Sequence, residues 1–388
     1  MIQSSWIDLS KSALRKNIRF IKKQIGPQVT YSSVVKANAY GHNTETFVPL
    51  AEECGVRHFS VSNADEAMRV HKSRMEKSKI MIMGDVYGEA LEWAVRGDVS
   101  FYVFDYHRLE LALEIAKRLE KPARIHLELE TGMNRTGFDG KWLDKAIELI
   151  LHNRDCFQVE GICTHYAGAE SVANFRRIID QLESYNKLCS YINGKGLPVT
   201  NRHTAASAAA LAYPDTRMDM VRVGIAQYGY WPSKEIEMQY IVQTHDQQKK
   251  RYIDPLKRVL TWKSRVISIK NVKQGEFIGY GTSYLTTRPH KIAVVPVGYF
   301  HGFQRSLSNL GRVLIHGRRV AILGHVNMSM LMINITDVPD VSIDDEVVLI
   351  GKQKNNHISV GSFSDMSNML NYEVLVRIPW EIPRIVVE

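Results

Sequence analysis

Across the first two-thirds of the chain, short apolar or β-branched runs alternate with longer amphipathic ones. That rhythm constrains the fold more than any other feature. Strand-like runs fall at 29–36, 57–62, 79–83, 99–104, 123–129, 159–164, 197–202 and 220–223. Helical patterns separate most of them, at 44–54, 65–72, 89–96, 106–119, 141–151 and 171–192, and the alanine-rich stretch 205–212 reads as a short helix. Strands alternating with helices imply βαβ units and a parallel sheet. About eight such units suit a closed (β/α)8 barrel better than an open sheet, the usual size of that barrel being ~250 residues.

The rhythm breaks near residue 260. Strand-like runs at 262–269, 291–297, 318–323, 331–335, 346–349 and 384–387 follow one another between turn residues such as Gly275, Gly311 and Gly317, and the best remaining helical pattern is 360–370. This reads as a mostly-β second domain. The expected division is an α/β barrel over 1–250 and a β domain over 251–388, with the first few residues packing on the latter. The stretch 232–255, polar and charged around QTHDQQKKR, reads as a solvated linker or surface insertion.

Composition narrows the function. Of 388 residues, 45% are hydrophobic and 23% charged, which is ordinary for a globular protein and far from disorder. Fifty Lys and Arg against 41 Asp and Glu give a formal charge of +9, which suits an anionic ligand, but the basic residues are scattered. Nucleic-acid binding gains little support. Cys54, Cys156, Cys163 and Cys189 lie far apart without a CxxC pair, so neither a disulfide framework nor a metal site is indicated. With no signal-like N-terminus and no run of roughly 20 apolar residues, a cytoplasmic protein is the expectation.

In a parallel barrel, chemistry sits where strands end. The first strand ends in Val34-Val35-Lys36, the fifth in Glu128-Leu129-Glu130 ahead of Arg135, the sixth in Thr164-His165, the seventh at His203, and the last run carries Arg222. A lysine ending a buried strand is expensive unless paired or deprotonated, although it can also snorkel to the rim. Each of these residues alone is more often structural. Converging on one face, they make an anionic-ligand site.

The segments VVKANAYGHN, TGMNRTGF, CTHYAGAE, MVRVGIAQYG, IGYGTSY, VGYFHGFQRSL and NYEVLVRIPWEIPRI resemble, in order, the motifs of the alanine racemase family. The lysine motif is shared with barrel-only pyridoxal-phosphate proteins; its combination with the C-terminal tyrosine motif is specific. The resemblance implies interconversion of L- and D-alanine, a bacterial peptidoglycan role, pyridoxal 5′-phosphate (PLP) as cofactor, and a homodimer whose sites join one subunit's barrel to the other's β domain. It implies that Lys36 holds PLP as a Schiff base and then moves a proton on one face of Cα, with Tyr280 as the opposite acid/base. His165 would lie between Tyr280 and Arg222, and Arg222 would face the pyridine nitrogen. A residue that stays protonated would keep that nitrogen unprotonated, so the carbanion is less delocalised and proton return dominates. The bland reading of Arg222 is a rim ion pair, for example with Asp219.

The resemblance further implies that Tyr40, Ser207 and the amides of Gly224 and Ile225 hold the phosphate, with Trp380 near it, and that His203 supports the ring. Arg135 and the Met328 N–H would take the substrate carboxylate, while Tyr299, Arg305 and Glu170 would line the entrance. Several positions depart from the family pattern. Glu128 stands where many members carry a carbamylated lysine, and its native charge would orient Arg135. Ala206, Asn327, Ser329, Trp380 and Phe300-His301-Gly302 also differ. These departures keep two alternatives open: a racemase of the same scaffold with altered or broader substrate range, or a PLP-binding protein with little turnover. An amino-acid decarboxylase is disfavoured because no cysteine follows Cys189.

Overall fold

A computed structural model describes residues 4–244, 252–367 and 369–388. The chain forms two compact units. One comprises Ala13–Lys36 and Phe47–Lys257; the other contains the described residues of Met1–Ser12 and Arg258–Glu388 together with Ala37–Thr46.

Strand β1 (Ser5–Ser10) opens the chain and belongs to the second unit. The first unit is the barrel. Its strands are β2 (Thr30–Val34), β3 (His58–Asn63), β4 (Lys79–Asp85), β5 (Ser100–Val103), β6 (Ala123–Glu128), β7 (Phe157–Cys163), β8 (Arg202–His203) and β9 (Met220–Val223). They lie in the order β8-β7-β6-β5-β4-β3-β2-β9, and every pairing is parallel. Backbone bonds from Arg222 N–H to the Ala205 carbonyl and from Asp219 N–H to the Arg202 carbonyl, both 3.0 Å, bring β8 and β9 together and close the ring. Residues such as Val61, Ile82, Phe101 and Leu127 are fully buried, as strands covered on both faces require. Side-chain caps start two of the outer helices. Asn63 accepts from Glu66 N–H at the head of Ala64–Ser73, and Asp105 accepts from Arg108 N–H at the head of Tyr106–Leu119.

Two expectations need correction here, and one helix went unpredicted. The run 197–202 yields only the two residues of β8, since Pro198 offers no N–H to a ladder. The stretch 232–255 is not simply a linker. It contains a helix, Lys234–Thr244, whose Ile236 is buried with Ala212, Trp231 and Leu256; residues 245–251, the centre of that stretch, lie outside the described residues. The helix Lys11–Ile25, with Leu14, Ile18, Ile21 and Ile25 on its buried face, was not expected among so many lysines and arginines.

The second unit is built on an antiparallel sheet. Its further strands are β10 (Leu260–Arg265), β11 (Ser268–Val272), β12 (His290–Val295), β13 (Arg312–Ile315), β14 (Arg318–Leu323), β15 (Leu331–Asn334), β16 (Glu346–Gln353), β17 (Asn356–Ile358) and β18 (Arg384–Val387). The order is β11-β12-β15-β14-β13-β16-β10-β1-β18, with β17 on β16. The run 262–269 therefore breaks into β10 and β11 rather than forming one strand. β1 pairs antiparallel with β10 and parallel with β18, in the register Ile7 to Trp262 and Ile7 to Arg384.

Candidate functional site

The barrel strands deliver a cluster of cations and imidazoles at their C-terminal ends. Lys36 lies two residues beyond the end of β2. Burial around its amine, and then the Arg135 guanidinium, hold its pKa below the ordinary lysine value, with Glu66 opposing. That combination favours the neutral, nucleophilic amine.

The backbone after Lys36 is unusual. Ala37, Asn38, Ala39 and Tyr40 have φ of 52°, 56°, 53° and 52°, a left-handed turn of four non-glycine residues. Each such residue costs about 1–2 kcal/mol. The turn persists because its ends are fastened. Asn38 Oδ1 accepts from Thr44 N–H at 3.0 Å, and Arg384 donates to the Gly41 carbonyl at 2.7 Å. Gly41, with φ of +78°, leads out of the turn where a Cβ would meet the Leu375 carbonyl oxygen at 2.0 Å.

Arg222, on β9, is buried, and its partners overturn the rim ion-pair alternative. It donates to His203 Nδ1 at 2.6 Å and to the carbonyls of His203, Thr164 and Thr204 at 2.9, 2.8 and 2.9 Å, and it faces His165 Nδ1 at 3.5 Å. No carboxylate stands among these partners. Asp219 instead faces Arg202 at 3.6 Å. The guanidinium is thus held by neutral groups, with its charge directed into the site. His165 is correspondingly pushed down to about 3, by burial first and then by Arg222, Arg135 and Lys36, so the ring is neutral.

His203 extends the network to a residue the sequence reading missed, His126, whose Nδ1 lies 2.9 Å from His203 Nε2. The clue was available: His126 and Glu128 are two apart on one strand and therefore point to one face. Glu128 is buried. Burial raises its pKa against the pull of Thr136, Arg135 and Arg222, and its direct hydrogen bond is from the Thr136 hydroxyl at 2.8 Å. The expected orientation of Arg135 by Glu128 is therefore an electrostatic influence, with Thr136 as the group held. Ser207 Oγ accepts from Gly224 N–H at 2.9 Å, which brings the serine and the 224–225 backbone together where β9 ends.

Most of the remaining expected site residues are exposed residues of the second unit. Tyr280 stands between Gly279 and Gly281 and is 75% exposed. The N–H groups of Tyr299 and Phe300 donate to the carbonyls of Asn327 and Met328 at 3.0 and 2.9 Å, and Gly302 abuts Arg377, Ile378 and Pro379. Tyr299, Met328 and Trp380 thereby fall on neighbouring loops, all exposed, with Arg305 following in a short 3-10 turn. Tyr40 also belongs to this unit, its ring 6.1 Å from that of Tyr372. Glu170 lies on a barrel loop, where its carbonyl accepts from Ser233.

Among the described residues no group of metal-binding side chains occurs, and no helix is long and apolar enough to cross a membrane. The amine, the Ser207 hydroxyl and a guanidinium without a carboxylate among its hydrogen-bond partners suit an anionic cofactor carrying an aldehyde and a phosphate.

Comparison with known proteins agrees with this chemistry. Residues 9–232 match the family described as alanine racemase, N-terminal domain, and residues 259–386 match alanine racemase, C-terminal domain. The alanine racemase of Leptospira interrogans is 32% identical over 385 residues, spanning 99% of this chain and 96% of the relative. The structure of alanine racemase from Bacillus anthracis with bound L-Ala-P superposes with a TM-score of 0.87 at 29% identity, covering 100% of this chain and 96% of that one. Alanine racemase from Bartonella henselae with covalently bound pyridoxal phosphate gives 0.82 at 25% identity, covering 100% of both chains.

Proposed function

Because the chain belongs to the alanine racemase family, we propose that it interconverts L- and D-alanine with PLP held on Lys36. It works as a homodimer in which Tyr280 of one subunit serves the barrel of the other. When bound, the cofactor withdraws electrons from the substrate and makes its Cα–H acidic.

The other requirements fall on side chains. Ser207, the Gly224 and Ile225 amides, Tyr40 and Trp380 are the donors for the phosphate, a cradle of neutral groups. Arg222 would face the pyridine nitrogen of the bound cofactor; a guanidinium, being always protonated, would keep that atom unprotonated. His203 fixes Arg222 from behind. Lys36 Nζ would move a proton on one face of Cα, and Tyr280 Oη would do so on the other. A phenol with an ordinary pKa near ~10 needs cationic help to act as a base. Neutral His165, in line with Arg222, conveys that help. Arg135 and the Met328 N–H hold the substrate carboxylate, and Tyr299, Arg305 and Glu170 narrow the entrance.

The observation that carries this reading is the pairing, around His165, of an amine biased toward neutrality and a buried guanidinium without a carboxylate partner. The relatives named alanine racemase favour alanine over a broader substrate range. Incubating the PLP-loaded protein with L-alanine in heavy water tests the reading. The expected result is D-alanine together with deuterium at Cα in both enantiomers; L-alanine recovered unlabelled would refute it.

A further inference from the structure

The N-terminal end of the barrel, opposite the catalytic end, carries an open cavity of about 750 Å³ that the chemistry above does not use. It opens among the first residues of β2, β3, β4, β7 and β9, with Thr30, His58, Lys79, Glu160 and Met220 on its wall. Lys22, Arg57, Lys77 and Lys79 line it against the carboxylate of Glu160, and Glu160 is already engaged by Arg124 Nε at 2.8 Å. Arg57 also faces Glu76, outside the lining, across 3.9 Å. The wall is therefore cationic; Lys22 is tied to the Gly55 carbonyl at 3.0 Å, whereas Lys77 and Lys79 lie exposed on the surface.

The hydrogen-bond chain inside the barrel ends at this cavity, and its polarity is forced. Arg222 can only donate, so His203 Nδ1 accepts and the proton of neutral His203 sits on Nε2. That Nε2–H donates to His126 Nδ1, which places the proton of neutral His126 on its own Nε2. His126 is buried and lines the cavity, and its Nε2 has no hydrogen-bond partner; Glu160 Oε2 is 3.8 Å away, too far to accept. Gly161 makes room for this arrangement, since a Cβ there would meet His126 Nδ1 at 2.6 Å. A buried donor without an acceptor thus belongs to a residue on the wall of this cavity, and a buried polar group left unpaired is costly. Burial first, and then His58, Arg222 and Lys79, keep His126 neutral, in accord with this protonation pattern.

We propose that this cavity is a second ligand site, which takes a small molecule carrying two or more phosphate groups whose oxygens accept from His126 Nε2–H and pair with Lys77 and Lys79. A single carboxylate leaves most of the lysine and arginine charge unanswered, and the volume falls in the range of small-molecule sites.

The test is calorimetric titration of inorganic pyrophosphate into the PLP-saturated holoenzyme, so that the phosphate donors at the catalytic end are already occupied. One binding event per chain is expected. It should weaken roughly a hundredfold or more in the Lys77→Ala/Lys79→Ala variant, which loses two charge-assisted contacts, while racemisation and melting temperature stay unchanged. Ser207→Ala should retain the binding. Absence of binding heat, equal affinity in the double lysine variant, or loss of binding in Ser207→Ala would each overturn the assignment.

Discussion

Acidification should unfold the barrel through its neutral imidazoles. His58 and His165 are pushed down to about 4 and about 3, burial being the leading cause for both. In the unfolded chain each returns to about 6.5. Because the folded pKa lies below the unfolded one, the stability is complete above pH 6.5 and is lost as pH falls toward the folded values. At pH 4.5 each histidine has forfeited about 2.7 kcal/mol, at 1.36 kcal/mol per unit, so the pair costs on the order of 5 kcal/mol. That is comparable to the whole stability of many domains. His126 and His203, also held well below the usual value by burial, act in the same direction. Glu128, raised by burial, recovers a part. Calorimetric melting of the protein between pH 7 and 4.5 should show a steep fall in Tm below pH 6.5, and a His58→Gln/His165→Gln variant should show a shallower slope. An unchanged Tm over that range, or the same slope in the variant, would refute the claim that these rings are buried and uncharged.

Other outcomes follow from single contacts. Lys36→Ala should abolish both the visible absorption of attached PLP and racemisation; a retained absorption band would place the attachment elsewhere. Gly41→Ala meets the Leu375 carbonyl at a positive φ, and a loss of about 3 kcal/mol or more is expected in chemical denaturation. Thr136→Val removes the donor to Glu128 and should raise KM for alanine several-fold with kcat little changed, because the lost contact supports the loop of Arg135 rather than the proton donors. An unchanged KM would show that this bond does not serve substrate binding.

Much of the architecture was legible because parallel barrel strands are buried on both faces and read as apolar runs, as at 79–83 and 220–223. The limits were physical. Lys234–Thr244 buries little beyond Ile236 and gives no clear period, whereas Lys11–Ile25 carries a regular stripe at Leu14, Ile18, Ile21 and Ile25 that is easily passed over among its charges. The residue types of the site were visible as motifs. The left-handed turn at Ala37–Tyr40 was not, because the guanidinium that fastens its end, that of Arg384, is far from it in sequence. The Arg222–His203–His126 chain was equally hidden, since it joins three strands whose register appears only on folding.

The central claim is that Lys36 and Tyr280 act on one carbon from two different subunits. Mixing the Lys36→Ala and Tyr280→Phe proteins, unfolding them together and refolding them tests it directly. In hybrid dimers one site then receives both native groups, so racemisation should return to about one quarter of the wild-type level from two nearly inactive parents, half of the dimers being hybrids with one good site each. A mixture no more active than its parents would contradict the account.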